Sequence, residues 1–132
     1  HQLARIEENW LKRKKIWQFY SDQFANLPID LPSNVTGGDI RHAYHLYTIL
    51  LREDSPVTRD EFIIKMQEKN IGTGVHYTSI PSFTYYQDTF NWSPQDFPNS
   101  TLIGNRTVSI PLSPTLDEDQ VERVVDAVTG IL

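Results

Sequence analysis

Gly72 and Gly74 stand two residues apart ahead of His76 in the run Asn70-Ile71-Gly72-Thr73-Gly74-Val75-His76-Tyr77, and this run restricts the fold more than any other. In an extended segment side chains alternate between faces, so Gly72, Gly74 and His76 share one face and Ile71, Thr73, Val75 and Tyr77 the other. One face is bare backbone ending in an imidazole. Glycine weakens a strand and gives nothing to pack. Two at alternate positions therefore predict that a ligand or another chain segment comes close there, with His76 pointing into a cleft.

The elements around this run follow from periodicity and punctuation. Leu3, Ile6, Trp10, Ile16, Trp17, Tyr20 and Phe24 recur at helical spacing and predict a long amphipathic helix from Leu3 to about Phe24. No N-cap precedes it, which is the expectation for a chain cut from something longer. Pro28, Pro32, Gly37 and Gly38 mark a connection. The aromatic and β-branched stretch His42–Leu51 predicts a strand, apolar on both faces and so central in its sheet. Thr58 and Glu61 form a capping box for the next helix, with Val57 and Phe62 as its hydrophobic staple; Phe62, Ile63 and Met66 face inward, and Asn70 ends it in the left-handed conformation.

Past the glycine segment, Pro81 and Ser82 open a short helix carrying Tyr85, Tyr86 and Phe90, and Pro98 opens another through about Asn105. Thr107–Leu112 alternates as a short strand whose Pro111 places its end at a sheet edge or bulge. Asp117 caps a last helix with Gln120 as reciprocal partner and Val121, Val124, Val125 and Val128 on one side. The fold class is α/β (α+β): a small, mostly antiparallel sheet of three to four strands packed by helices, with a long N-terminal helix.

At 132 residues the chain makes one domain, large enough for a core without staples. It has no cysteine, hence neither disulfides nor a thiolate zinc site. A net charge of −5 argues against a nucleic-acid surface, and Lys12-Arg13-Lys14-Lys15 reads as the solvated face of the first helix. No apolar run approaches the roughly 20 residues of a membrane span, and no signal peptide opens the chain, so a cytoplasmic location is expected. The sequons at Asn34, Asn91, Asn99 and Asn105 are accordingly given no role.

His42 and His45 would lie on opposite faces of a strand and cannot converge on one ion. Gly72-Thr73-Gly74 lacks the third glycine and following helix of a phosphate loop. Asp88, Asp96 and Asp117-Glu118-Asp119 fit loops and helix-dipole compensation rather than a cation site. His76 and Tyr77 remain, the first able to exchange protons near neutral pH, the second to hydrogen-bond a hydroxylated ligand.

Taken in order, the opening Gln2-Leu3 helix, Tyr44-His45-Leu46-Tyr47, Arg59-Asp60-Glu61-Phe62, Asn70–Tyr77, Tyr85-Tyr86 and Arg106-Thr107-Val108-Ser109-Ile110-Pro111-Leu112-Ser113-Pro114 resemble the C-terminal part of the DegT/StrS sugar aminotransferases. The resemblance implies that residues 1–132 are the small domain of a longer fold-type I enzyme whose large domain is absent here. Such an enzyme uses pyridoxal phosphate to move an amino group from glutamate to a nucleotide-linked keto sugar, and a homodimer is implied. The Schiff-base lysine and the acid at the pyridine nitrogen belong to the large domain, so these 132 residues alone are expected to hold no cofactor and to catalyse nothing. His76, Tyr77 and Gly74 are the substrate-binding residues that the resemblance points to; no catalytic, cofactor or metal residue is assigned. Where many relatives read Ile-His-Leu-His-Pro-Tyr-Tyr, this chain reads Ile80-Pro81-Ser82-Phe83-Thr84-Tyr85-Tyr86, so neither the sugar nor its nucleotide is specified.

Two other classes compete. A free-standing α/β module could use the glycine face to hold a small polar ligand or a partner's edge strand. A purely structural dimerisation domain would owe nothing to His76. The wide stripe of the first helix, with its tryptophans, predicts a partner surface, and for these 132 residues alone either self-association or marginal stability.

Overall fold

The structure, a computed structural model, describes residues 1, 3–35 and 37–132; Gln2, assigned above to the opening helix, lies outside the described residues. A 3-10 turn at Leu3–Arg5 leads into α1 (Ile6–Gln23), whose start has no side-chain cap. The sheet has three strands, β1 (Ile29–Asp30), β2 (Tyr47–Leu51) and β3 (Thr107–Ile110), antiparallel throughout and in the order β1-β2-β3. The other helices are α2 (Arg59–Glu68), α3 (Thr84–Phe90), α4 (Pro98–Arg106) and α5 (Glu118–Ile131). This is the mixed helix-and-sheet fold expected, with β2 central.

Both predicted capping boxes form. Thr58 Oγ1 accepts from the Glu61 amide while the Glu61 carboxylate takes the Thr58 N–H at 2.8 Å, and Asp117 and Gln120 do the same for α5. Glu61 is held below the usual carboxylate range by those bonds to Thr58. Asn70, at φ 58°, turns the chain out of α2 as expected.

In antiparallel pairing, residues opposite one another share a face. Tyr47 faces Ile110 and Ile49 faces Val108; these four are buried with Leu51 on one side. There Tyr47 meets Trp17 and Tyr20 of α1 and Phe24 just after it, ring centroids 5.2–6.3 Å apart, and Val121, Val124 and Val128 of α5 join the same core. Phe62 and Met66 of α2 are fully buried in it, whereas Ile63 is only partly covered. Thr48 and Ser109, also opposite one another, belong to the other face.

Two strand expectations are corrected. The strand begins at Tyr47 rather than His42, because Tyr44 adopts φ 46° and gives its N–H to His42 Nδ1 (3.1 Å) instead of to a neighbouring strand. The Tyr44 ring is buried nonetheless, against Trp10 and Trp17. Residues 70–77 are not a strand either: their one sheet-like contact is a single antiparallel bridge from Gly74 to Ser109. Among the described residues no helix is long and apolar enough to cross a membrane.

Candidate functional site

Ser109 donates its N–H to the Gly74 carbonyl (2.7 Å) and accepts the Gly74 N–H at its own carbonyl (3.0 Å). Since both backbone groups of Ser109 point at Gly74, its pairing with Thr48 on the other side is a non-hydrogen-bonded one. Such pairs bring Cα atoms to about 4.5 Å and side chains closest together. The hydroxyls of Thr48 and Ser109 accordingly meet at 2.8 Å, and Ser109 Oγ lies 2.9 Å from His76 Nδ1.

Gly74 is what lets the imidazole reach that hydroxyl. A Cβ at position 74 would stand 2.7 Å from His76 Cε1 and 3.3 Å from Nδ1, so the ring occupies the space beside Ser109 that any other residue would fill with its own side chain. His76 and Gly74 therefore do share a face. What comes close to Gly74, however, is the chain's own histidine, whereas the same position beside Gly72 is open. His76 is half-buried, and its Nε2 hydrogen-bonds to no described residue and reaches solvent. Tyr77 is 76 % exposed, its ring edge-on to His76 at 5.0 Å, and the peptide between the two is cis.

The segment is held at three places. Ile71 is buried and donates to the Met66 carbonyl, Gly74 is bridged to β3, and Ser79 is buried against α4, its Oγ 2.8 Å from Ser100 Oγ. Val75, His76, Tyr77 and Thr78 form the arc between the last two. Arg59, mostly buried, ties α2 to the same region by donating to the Gly104 carbonyl at 3.2 Å.

Further along the chain, α3 and the segment after it carry a row of aromatic rings. Asn91 in the left-handed conformation ends α3 and turns the chain so that Trp92 stacks on Tyr86 (5.7 Å, 15°), which also stacks on Phe90 (6.0 Å, 24°), with Phe97 beyond. Tyr85 and Phe90 are more than half exposed. Of this row the sequence pattern had identified Tyr85, Tyr86 and Phe90 only as residues of a short helix, and had given Trp92 and Phe97 no place. Ser109 and Thr48 had also been passed over. The alternation of Thr107-Val108-Ser109-Ile110 was the available signal, since it sets Ser109 on a polar face.

Other candidates do not converge. His42 packs on Trp17 and Tyr44 while His45 is exposed, and among the described residues no group of three or more His, Asp or Glu could hold a metal. The lysines do not fit a cofactor Schiff base, which needs an amine enclosed near an acid that meets the cofactor ring. Lys12 and Lys15 form exposed ion pairs with Glu8 and Glu118, Lys14 lies over the Trp10 ring, and Lys65 and Lys69 are exposed. A groove of about 990 Å³ between α1 and α5 is lined by Ile16, Phe19, Leu116 and Val121 among others, and does not include Gly74, His76 or Tyr77.

The sequence profile of the DegT/DnrJ/EryC1/StrS aminotransferase family matches residues 1–129. The spore coat polysaccharide biosynthesis protein SpsC of Bacillus subtilis is 37% identical over 134 residues, covering 100% of this chain and 34% of that protein. The dTDP-3-amino-3,6-dideoxy-alpha-D-galactopyranose transaminase of Aneurinibacillus thermoaerophilus is 33% identical over 96% of this chain and 32% of its own length. Among solved structures, DesV of S. venezuelae in complex with a ketimine intermediate superposes with a TM-score of 0.80 at 27% identity, covering 98% of this chain and 33% of that one. The chain thus spans about a third of the length of the curated relatives it matches.

Proposed function

The chain belongs to the DegT/DnrJ/EryC1/StrS aminotransferase family, and from that membership we propose that it forms the small C-terminal domain of a pyridoxal-phosphate enzyme. That enzyme moves an amino group from glutamate to a nucleotide-linked keto sugar. The polysaccharide-biosynthesis and sugar-transaminase names of its relatives support the substrate class.

The observation that carries the reading is the imidazole of His76, fixed on one nitrogen by Ser109 and open on the other. A group so held can bind and orient a hydroxylated or phosphorylated ligand without losing side-chain freedom at the moment of binding. Tyr77 adds a phenol that can donate or accept, and Gly74 supplies the room in which the ring lies. The exposed rings of Tyr85, Phe90 and Trp92 form an apolar wall suited to excluding water from a closing site. Since no lysine here fits the cofactor, the domain's part is to bind and orient substrate while the large domain of the same polypeptide holds the pyridoxal phosphate, which when bound supplies the electron sink for amino transfer. Homodimerisation belongs to the same proposal.

The test is to express the full native reading frame that contains this sequence and assay amino transfer from glutamate to a panel of nucleotide-linked keto sugars, with and without His76→Ala. Activity that falls at least tenfold in the variant is expected. A native product that begins near His1, or one that binds no pyridoxal phosphate, would sink the proposal in favour of a free-standing binding module.

A further inference from the structure

We propose that Ser109 is a positioning residue for His76 and that Thr48 supports it, the two hydroxyls forming a relay that pins the imidazole over Gly74. In the neutral form of the ring, the relay lets Nε2 meet a substrate either as donor or as acceptor. The inference rests on the reading of His76 as a substrate contact.

The geometry leaves two hydrogen-bond arrangements. Each hydroxyl carries one proton and two lone pairs, and a neutral imidazole carries one proton on either nitrogen. In the first arrangement Thr48 donates to Ser109 Oγ at 2.8 Å, Ser109 donates to Nδ1 at 2.9 Å, and Nε2 bears the ring proton and donates outward. In the second, Nδ1 bears the proton and donates to Ser109, Ser109 donates to Thr48, and Nε2 accepts. The two differ by rotation of two hydroxyls and relocation of the ring proton through solvent, with no net change in protons. Ser109 is 4 % exposed, so its hydroxyl proton needs an acceptor in either arrangement, and in the second only Thr48 provides one. Thr48 is half-buried on the central strand.

This separates the roles of the two hydroxyls. Ser109 holds the ring's place, and without it nothing else described bonds Nδ1. Thr48 keeps both tautomers accessible, because its loss strands the Ser109 proton unless that proton is given to Nδ1, which leaves Nε2 as donor only.

The test uses the full-length protein carrying this chain, isotopically labelled at histidine and glycine. The wild type is expected to show a cross-peak between His76 Hε1 and Gly74 Hα and ring nitrogen shifts averaged between tautomers. Ser109→Ala should abolish the cross-peak; Thr48→Val should keep it but move the nitrogen shifts to a pure Nε2–H form, and Thr48→Ser should match wild type. The kcat/KM of Ser109→Ala should fall about three- to tenfold, the worth of one hydrogen bond, and Ser109→Ala should cost nothing further in a His76→Ala background. A cross-peak that survives Ser109→Ala, wild-type nitrogen shifts in Thr48→Val, or additive effects would overturn the relay. An unchanged kcat/KM in His76→Ala would instead remove the substrate reading, while the spectra still decide the positioning. Should Ser109→Ala fail to fold, Thr48→Val tests the same relay from the neighbouring strand.

Discussion

Gly104 of α4 lies directly against the backbone of Ser79: a Cβ placed on it would stand 2.6 Å from the Ser79 amide nitrogen and 2.9 Å from its Cβ. A helix that would ordinarily gain about 1 kcal/mol from exchanging glycine for alanine is thereby barred from doing so. Gly104→Ala is expected to destabilise by up to about 2 kcal/mol net, the usual cost of overpacking less that helix gain. Urea denaturation measures it. A raised midpoint would mean that α4 does not seat on Ser79.

At Gly74 the obstruction is a side-chain tip rather than backbone, which changes the expected outcome. Gly74→Ala should leave folding stability within about 1 kcal/mol of wild type yet swing the imidazole off Ser109 and weaken substrate capture in the full-length enzyme. Equal losses of stability and of kcat/KM would contradict this.

The capping box at Thr58 permits a local test. Thr58→Ala removes the acceptor for the Glu61 amide and one partner of its carboxylate, and should cost about 0.5–2 kcal/mol. Because Glu61 is held below its ordinary pKa of 4.5, its contribution is present above that value and is lost as the pH falls through the folded-state value. The acid side of the wild-type stability curve should therefore fall more steeply than that of Thr58→Ala.

On the alkaline side Tyr20 and Tyr47 act together. Burial raises the Tyr47 phenol from 10.0 to about 12, and Tyr20 beside it is raised as well. Below pH 10 both states are protonated; above it the unfolded chain releases protons that the folded one retains, so stability falls between pH 10 and 12. Tyr47→Phe should lower stability near neutrality by about 0.5–1.5 kcal/mol through its lost bond to Ser21. The same variant should flatten the alkaline decline, and a parallel pH profile would contradict the assignment.

Leu3, Ile6 and Leu11 on the first helical segment are each more than half exposed, as are Tyr77 and Tyr85. Apolar surface of this extent is normally covered by another body. Sedimentation of the 132-residue chain is expected to show self-association, relieved by Leu11→Glu. A monomer at high concentration would count against it.

What the sequence disclosed depended on range. The capping boxes at Thr58 and Asp117, the left-handed Asn70 and the buried valines of α5 are set by neighbours within one or two helical turns, so their pattern is legible. Tyr44 was misplaced because its conformation is fixed by the His42 ring and by tryptophans of α1 far back in the chain. Since the space beside Gly72 is open, the close approach expected of the glycine face holds at Gly74 alone. Its occupant could not be read, because His76 bonds Ser109 33 residues away, through a bridge that exists only once β3 has formed. Trp92 was invisible for a related reason: its stacking follows from the left-handed turn at Asn91 rather than from any periodicity.

The arc from Val75 to Thr78 is anchored on one side by the Gly74 bridge and on the other by Ser79 seated on Gly104. Both anchors engage backbone atoms, so they set the length of the arc but not its composition. An inserted residue would unseat one end, whereas Tyr77 and Thr78, both exposed, can be exchanged without disturbing either. Exchanges at these positions would thus change what the loop presents to solvent while its span stays fixed.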